Sequence, residues 1–391
     1  MHNIDNQKEI SLKNYEDDAK HHAYVECLSH INPSDAKQLL DIGVDVEENA
    51  RVGTFIQKDK SVIHCKSKQN GIDVMGISHA MEKHQWLSNY MWNNISPETD
   101  KFTYQVKEKP HEGYFIHAQP GVKTKNPVQS CLYIAKDGFS QNVHNVVIAE
   151  EDSELHIITG CATAPHLITG LHIGISEFYV KKGAKLIFTM IHDWGERVNV
   201  RPRTVAQVEK GGVIISNYIC LRPVGSLQMF PTTHLNGEGA VGRFNSILVA
   251  GSRSFLDVGS RIFLNAPHTR AEIISRGIAS GGSIIARGDL AGRVAGIKAH
   301  LECKGLILND GLMKAIPELT GHVPGVEMSH EAAVGKIDQQ EIEYLMARGL
   351  DEDEAISTIV RGFLNVDIEG LPAGLKERLD KAVVETQKDM M

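Results

Sequence analysis

The sequence predicts a mainly β chain, a parallel β-helix flanked by N-terminal and C-terminal α-helical regions. From about residue 102 to 320, short apolar or alternating runs follow one another, among them Val146-Val147-Ile148, Leu155-His156-Ile157-Ile158, Leu186-Ile187-Phe188 and Val213-Ile214-Ile215. Turn glycines such as Gly183, Gly211-Gly212, Gly281-Gly282 and Gly292 separate them, with no helical period in between. Regular short strands fit a sandwich, a barrel or a β-helix, but a simple sandwich holds only about 100 residues. A solenoid, in which each rung touches only its neighbours, explains how 391 residues cohere without one large core. Small residues dominate Gly277 to Gly296, which suits rungs stacked around a narrow interior. No strict repeat motif accompanies these strands.

The two ends read differently. Residues 1 to about 75 read as helix, with Ser34 as a cap before Asp35-Ala36-Lys37-Gln38-Leu39-Leu40 and Gly43 as a stop. Met81 to Ile95 reads as a further helix. Near the C-terminus, Asp338 with Glu341 opens a helix whose face carries Ile342, Leu345 and Met346, and Gly349 ends it. Asp351 with Glu354 opens another, bearing Ile356, Ile359, Val360 and Phe363. Pro372 starts a third, with Leu375, Leu379 and Val383. The expected division is a helical region over 1–100, a β-helix over 101–325 and a helical, partner-docking region over 326–391.

Composition narrows the function. Hydrophobic content of 42% and charged content of 23% are ordinary for a globular protein. A net charge of −8 argues against a general nucleic-acid or anionic-membrane binder. The polar start is no secretory leader and no stretch reaches the length of a membrane span, so the expected compartment is the cytoplasm. The six cysteines are scattered without a CxxC pair, which fits reduced thiols better than a disulfide framework.

Phosphate-loop and hydrolase motifs are absent: there is no GxxxxGK[ST] and no GxSxG, so no nucleotide is expected on a Walker A loop of this chain. What remains is sulfur and soft-metal chemistry. Cys161 lies in the small-residue run Gly160-Cys161-Ala162-Thr163-Ala164-Pro165-His166. Cys303 lies between His300 and Lys304, cations that favour the thiolate that binds iron or accepts sulfur. Each has a plainer reading as a buried core cysteine. His330-Glu331 pairs an imidazole with a carboxylate, able to ligate iron or move protons, though such a dipeptide is common by chance.

Longer stretches carry more. Cys303-Lys304-Gly305-Leu306-Ile307-Leu308, then Ser329-His330-Glu331-Ala332-Ala333-Val334-Gly335-Lys336-Ile337, then Arg348 through Phe363 resemble the C-terminal part of the SufB/SufD family of iron–sulfur assembly scaffolds. Gly160-Cys161-Ala162-Thr163-Ala164-Pro165 and the following Leu171-His172 are similar to the family's central segment, and the resemblance runs in order over roughly 40–370. It implies a right-handed parallel β-helix and a SufC-type ATPase docked on the C-terminal helices. It also implies a second scaffold subunit paired through the β-helix, in a minimal system a homodimer. The cargo implied is a transient iron–sulfur cluster built from sulfur and iron supplied by donors; the residues carry no signal for or against a flavin. Cys303, His330 and Glu331 fall on the positions of the SufB branch taken to hold the nascent cluster as metal ligands, and Cys161 on its sulfur-relay cysteine. Ser329 and Ala333-Val334-Gly335 are SufD-like, and the chain lacks the long N-terminal insertion of a typical SufB. The competing role is a structural, SufD-like subunit; a carbohydrate-active β-helix enzyme is disfavoured by 6% aromatic residues.

Overall fold

The computed structural model describes residues 9–31, 36, 39, 40, 42, 44 and 50–364. A β-solenoid of about eight turns dominates. Each turn contributes strands to two facing sheets. The first sheet runs, in order across it, β2 (Ser61–Ser67), β1 (Gly53–Lys58), β5 (Val128–Ile134), β7 (Glu154–Thr163), β9 (Lys185–Asp193), β12 (Val213–Cys220), β15 (Val241–Ala250), β17 (Arg270–Ser280), β19 (Lys298–Leu308) and β21 (Glu327–Gly335). The second begins with β3 (Ile72–Gly76), β4 (Tyr114–Ala118), β6 (Phe139–Ala149) and β8 (Gly170–Val180). It continues through β10 (Val198–Val200) with β11 (Arg203–Val208), then β13 (Ser226–Met229) with β14 (Thr232–Leu235). It ends with β16 (Phe255–Leu264), β18 (Ser283–Gly292) and β20 (Leu312–Gly321). All pairings are parallel except β1 with β2 and β3 with β4, two antiparallel pairs that close the N-terminal end.

The repeat is one of register rather than of residue type. Asn245 bonds Asn217 on the preceding rung 28 residues earlier, and Ser246 bonds Ser275 on the next rung 29 residues later. Side chains alternate across each strand, so one set fills the lumen and the other faces outward. The lumen set forms one continuous apolar core, with Leu132, Leu186, Ile214, Leu248, Ile273 and Leu301 among its members. Glycines keep that lumen narrow. A Cβ on Gly305 would sit 2.1 Å from Met313 Sδ, and one on Gly288 would sit 2.2 Å from Leu301 Cδ1.

The ends correct the sequence reading in four places. Residues 53–76, expected within a helical stretch, are three strands: Phe55, Ile56, Val62, Ile63 and Val74 are β-prone residues, and Asp59 turns the β1–β2 pair with φ +50°. The helix expected after Ser34 falls largely outside the described residues. Between Met81 and Ile95 the helix is shorter and earlier: α1 (Ile77–Lys83), followed by a 3₁₀ turn at Gln85–Asn89. Inside the stretch read as strand from about 102 stands α2 (Lys101–Glu108), capped by a reciprocal Asp100–Thr103 pair. Finally, the solenoid runs past residue 325 to Gly335, because β21 adds one more rung.

The C-terminal helices α3 (Gln339–Met346) and α4 (Glu352–Leu364) form where their caps predict. Asp338 accepts from Gln340 N at 2.9 Å, and Asp351 and Glu354 cap each other. The apolar stripe of α4 is not free. Val360 and Leu364 are buried, and Ile356 and Phe363 pack with them, on an outer patch of the first sheet formed by Ile158, Ile191, Ile219, Ile247 and Ile278. The helix expected at Pro372 lies outside the described residues.

Candidate functional site

Cys303 sits on β19, where Ala299, Leu301, Cys303 and Gly305 face the lumen and Glu302 and Lys304 face out. Its thiol is fully buried. Burial pushes its pKa up to about 11, against a weaker downward pull from Arg276. In parallel register, Cys303 pairs with Ser275, Ser275 with Ser246, and Ser246 with Tyr218, so one lumen column carries four polar side chains on successive strands. Ser246 Oγ donates to Ser275 Oγ at 3.0 Å. Together with Thr233, Ser275, Ser246 and Tyr218 border a lumen cavity of about 40 Å³.

A second column begins at Cys161. Cys161 on β7 pairs with His192 on β9, and His192 with Cys220 on β12. All three are buried. The Tyr218 hydroxyl lies 2.6 Å from His192 Nδ1 and joins the two columns. Burial holds His192 well below the ordinary histidine range, reinforced by the neighbouring His172, so its imidazole is neutral and Nδ1 can accept a hydrogen bond from the tyrosine hydroxyl. Burial likewise raises the Cys161 thiol, and pushes that of Cys220 up to about 12. Trp194 covers both imidazoles, with ring centroids 5.0 Å from His172 and 5.4 Å from His192. Polar side chains thus run through the apolar lumen from Cys161 towards Cys303.

The third predicted element lies on the last rung. His330 on β21 pairs with Leu301, a lumen residue, so it shares the inner face with Cys303. Spacings of about 4.8 Å between strands and about 3.3 Å per residue put their Cα atoms roughly 8 Å apart. Glu331 pairs with Glu302 and faces the other way. There Lys304 Nζ bridges Glu331 Oε1 at 3.2 Å and Glu302 Oε2 at 2.9 Å, and Arg276 pairs with Glu302. The structure therefore brings His330 to the side of Cys303 but not Glu331, and among the described residues no three His, Cys, Asp or Glu side chains converge as metal ligands. Among the described residues no further strand covers β21, and His330 and Glu331 are exposed.

Sequence reasoning missed His192, Tyr218, Ser246 and Ser275. Each sits in an unremarkable strand, and only the rung register sets them in line. The one available signal was spacing: Tyr218, Ser246, Ser275 and Cys303 follow one another at intervals of 28 or 29 residues.

Residues 132–363 match the family described as SUF system FeS cluster assembly, SufBD core domain. An iron-sulfur cluster assembly SufBD family protein of Archaeoglobus fulgidus is 48% identical over 91% of this chain and 96% of its own length. A homologue bearing the same family name in Methanothermobacter thermautotrophicus strain Winter is 46% identical over 94% of this chain and 92% of its own. The iron-sulfur cluster assembly protein SufB of Bacillus subtilis is 30% identical over 87% of this chain and 75% of its own. No helix among the described residues is long and apolar enough to cross a membrane. With its parallel β-helix, its lumen cysteines and relatives of this extent, the chain belongs to the SufBD family of iron–sulfur cluster assembly proteins.

Proposed function

We propose that this chain is the cluster-building scaffold of a SUF-type system, with Cys303 as the residue that accepts sulfur and anchors the nascent cluster. The observation that carries this reading is the position of Cys303: a lumen thiol one strand from the last rung of the described residues, on the same face as His330. Thiolates are the usual protein ligands of iron–sulfur clusters, and a site with few ligands from one chain releases its cargo readily. A second copy meeting this one through the open rung supplies the remaining ligands, which makes the working unit a homodimer. Glu331, on the opposite face and held by Lys304, stands outside that ligand set. Cys161 receives sulfur at the far end of the polar lumen path, and the path to Cys303 is lined by His192, Tyr218, Ser246 and Ser275. ATP hydrolysis comes from a separate SufC-type subunit, docked on the exposed faces of α3 and α4 where Tyr344 and Met346 stand out. The chain acts in the cytoplasm and is itself no enzyme.

A SufD-like role, holding the ATPase beside another scaffold, is the second reading, and the Ser329 and Ala333-Val334-Gly335 positions favour it. Anaerobic reconstitution of the purified chain with iron and sulfide, alone and with its ATPase, separates the two by absorption and Mössbauer spectra. A scaffold forms a cluster that Cys303→Ser abolishes while the circular dichroism spectrum stays unchanged. A chain that forms no cluster under either condition, or forms it equally without Cys303, is not the scaffold proposed.

A further inference from the structure

On the outer side of the solenoid wall, a cavity of about 460 Å³ opens between α1, α2 and the second sheet. That volume lies within the range of small-molecule sites. Its wall mixes an apolar set, including Met81, Met91 and Trp92, with Lys60, Lys107, Glu112 and His144. His144 is only 3% exposed, and its Nε2 lies 2.8 Å from Oε1 of the fully buried Glu177. The same carboxylate accepts from Trp92 N and Asn94 N, each at 2.5 Å, and from the Tyr179 hydroxyl at 3.3 Å.

Glu177 is thereby saturated with donors, and the His144 Nε2–H donates to the carboxylate, which in the neutral imidazole leaves a lone pair on Nδ1. That Nδ1 has no hydrogen-bond partner, although it is buried. Clamping the turn at Trp92 to the solenoid accounts for Nε2 and for the carboxylate. It does not account for Nδ1, which is left buried and unmet.

The charges around the cavity have both signs. Lys60 pairs with Asp18, itself largely exposed, and Lys107 is exposed on α2. Glu112 uses Oε2 to accept from Ser78 N at 3.2 Å. An anion alone leaves Glu112 facing like charge, and a cation alone leaves the lysines so. A molecule carrying both signs answers all of them, and one with an N–H donor also meets Nδ1.

We propose that this cavity binds a free α-amino acid with an apolar or sulfur-containing side chain. Its ammonium group donates to His144 Nδ1 and the Glu112 carboxylate, its carboxylate meets Lys107 and Lys60, and its side chain packs on Trp92, Met81 and Met91. No chemistry is attached to this site; it is a binding site, and it works independently of the cluster.

The test uses the full chain, without iron. Melting temperature and tryptophan fluorescence are followed while each standard amino acid is titrated, with acetate, methylamine and inorganic phosphate as single-charge probes. The expected result is a saturable rise in melting temperature with at least one amino acid of the stated class. Lys107→Ala weakens it about tenfold, as loss of a charge-assisted contact does, and His144→Phe, which keeps a ring against Trp92, abolishes it. If His144→Phe does not fold, Lys107→Ala and Glu112→Gln decide. Failure of every amino acid to bind, binding that survives these substitutions, or an equal response to acetate or phosphate alone overturns the proposal.

Discussion

Lys304 bridges Glu331 at 3.2 Å on the outer face of the last rungs, while Cys303, its immediate neighbour in the chain, faces the lumen. Two residues that the sequence sets close to one chemistry therefore stand on opposite sides of a sheet, by the alternation every strand imposes. The consequence is a ranking. In iron–sulfide reconstitution, Cys303→Ser is expected to abolish bound iron, His330→Ala to lower it strongly, and Glu331→Gln to lower it less than His330→Ala does. Iron analysis after desalting reads all three.

The α4 stripe leads to a stability prediction. Phe363 packs, half-buried, beside Val360 and Leu364 on the outer patch of the first sheet. Full burial of a Phe makes its removal cost roughly 3–5 kcal/mol, so Phe363→Ala is expected to cost about 2 kcal/mol. Tyr344 is 58% exposed on α3, and Tyr344→Ala is expected to change stability by less than about 0.5 kcal/mol while weakening capture of the ATPase. Denaturant midpoints and a pull-down on the two variants separate packing from docking.

Tyr218 joins the two lumen columns through its hydroxyl on His192 Nδ1. Tyr218→Phe keeps the ring and leaves a buried imidazole nitrogen unmet, a loss of about 1–3 kcal/mol. Equilibrium unfolding measures it, and transfer of labelled sulfur from Cys161 to Cys303 is expected to slow in the same variant.

Alkaline pH is expected to destabilise the solenoid through its thiols. Cys303 titrates near 11 and Cys220 near 12 in the folded chain, against about 8.5 for an unfolded cysteine. A raised pKa means the folded state holds its proton more tightly. The contribution is fully present below about pH 8.5 and is lost as pH rises through the folded values. Unfolding midpoints between pH 8 and 11 should fall, and Cys220→Ala should flatten the fall.

Much of the fold was legible because the strands are short, apolar and separated by turn glycines, and because Asp338, Asp351 and Glu354 cap their helices in the local order a sequence reveals. The first rung was not. Thr54, Gln57 and His64 are polar residues buried in β1 and β2, so neither alternation nor an apolar run announced a strand. Cys161, Cys303, His330 and Glu331 were legible as local chemistry. Their relation to one another was not, because it depends on which face each residue occupies and on register across rungs. Ser275 is a plain serine in the sequence; only the β17–β19 pairing puts it beside Cys303.

The two antiparallel pairs at the N-terminal end give the molecule a polarity of growth. There β2 turns back on β1, and its outer edge is taken in part by the bond from Val25 N to Ile63 O at 2.7 Å. A further chain finds little vacant backbone to extend from that side. At the opposite terminus β21 has, among the described residues, no partner on its outer edge, the kind of margin along which β-structures polymerise. A stack blunted at one end and sticky at the other can join only sticky end to sticky end. Such a union would use up both margins and leave nothing to elongate, which fits the homodimer proposed above rather than a fibre.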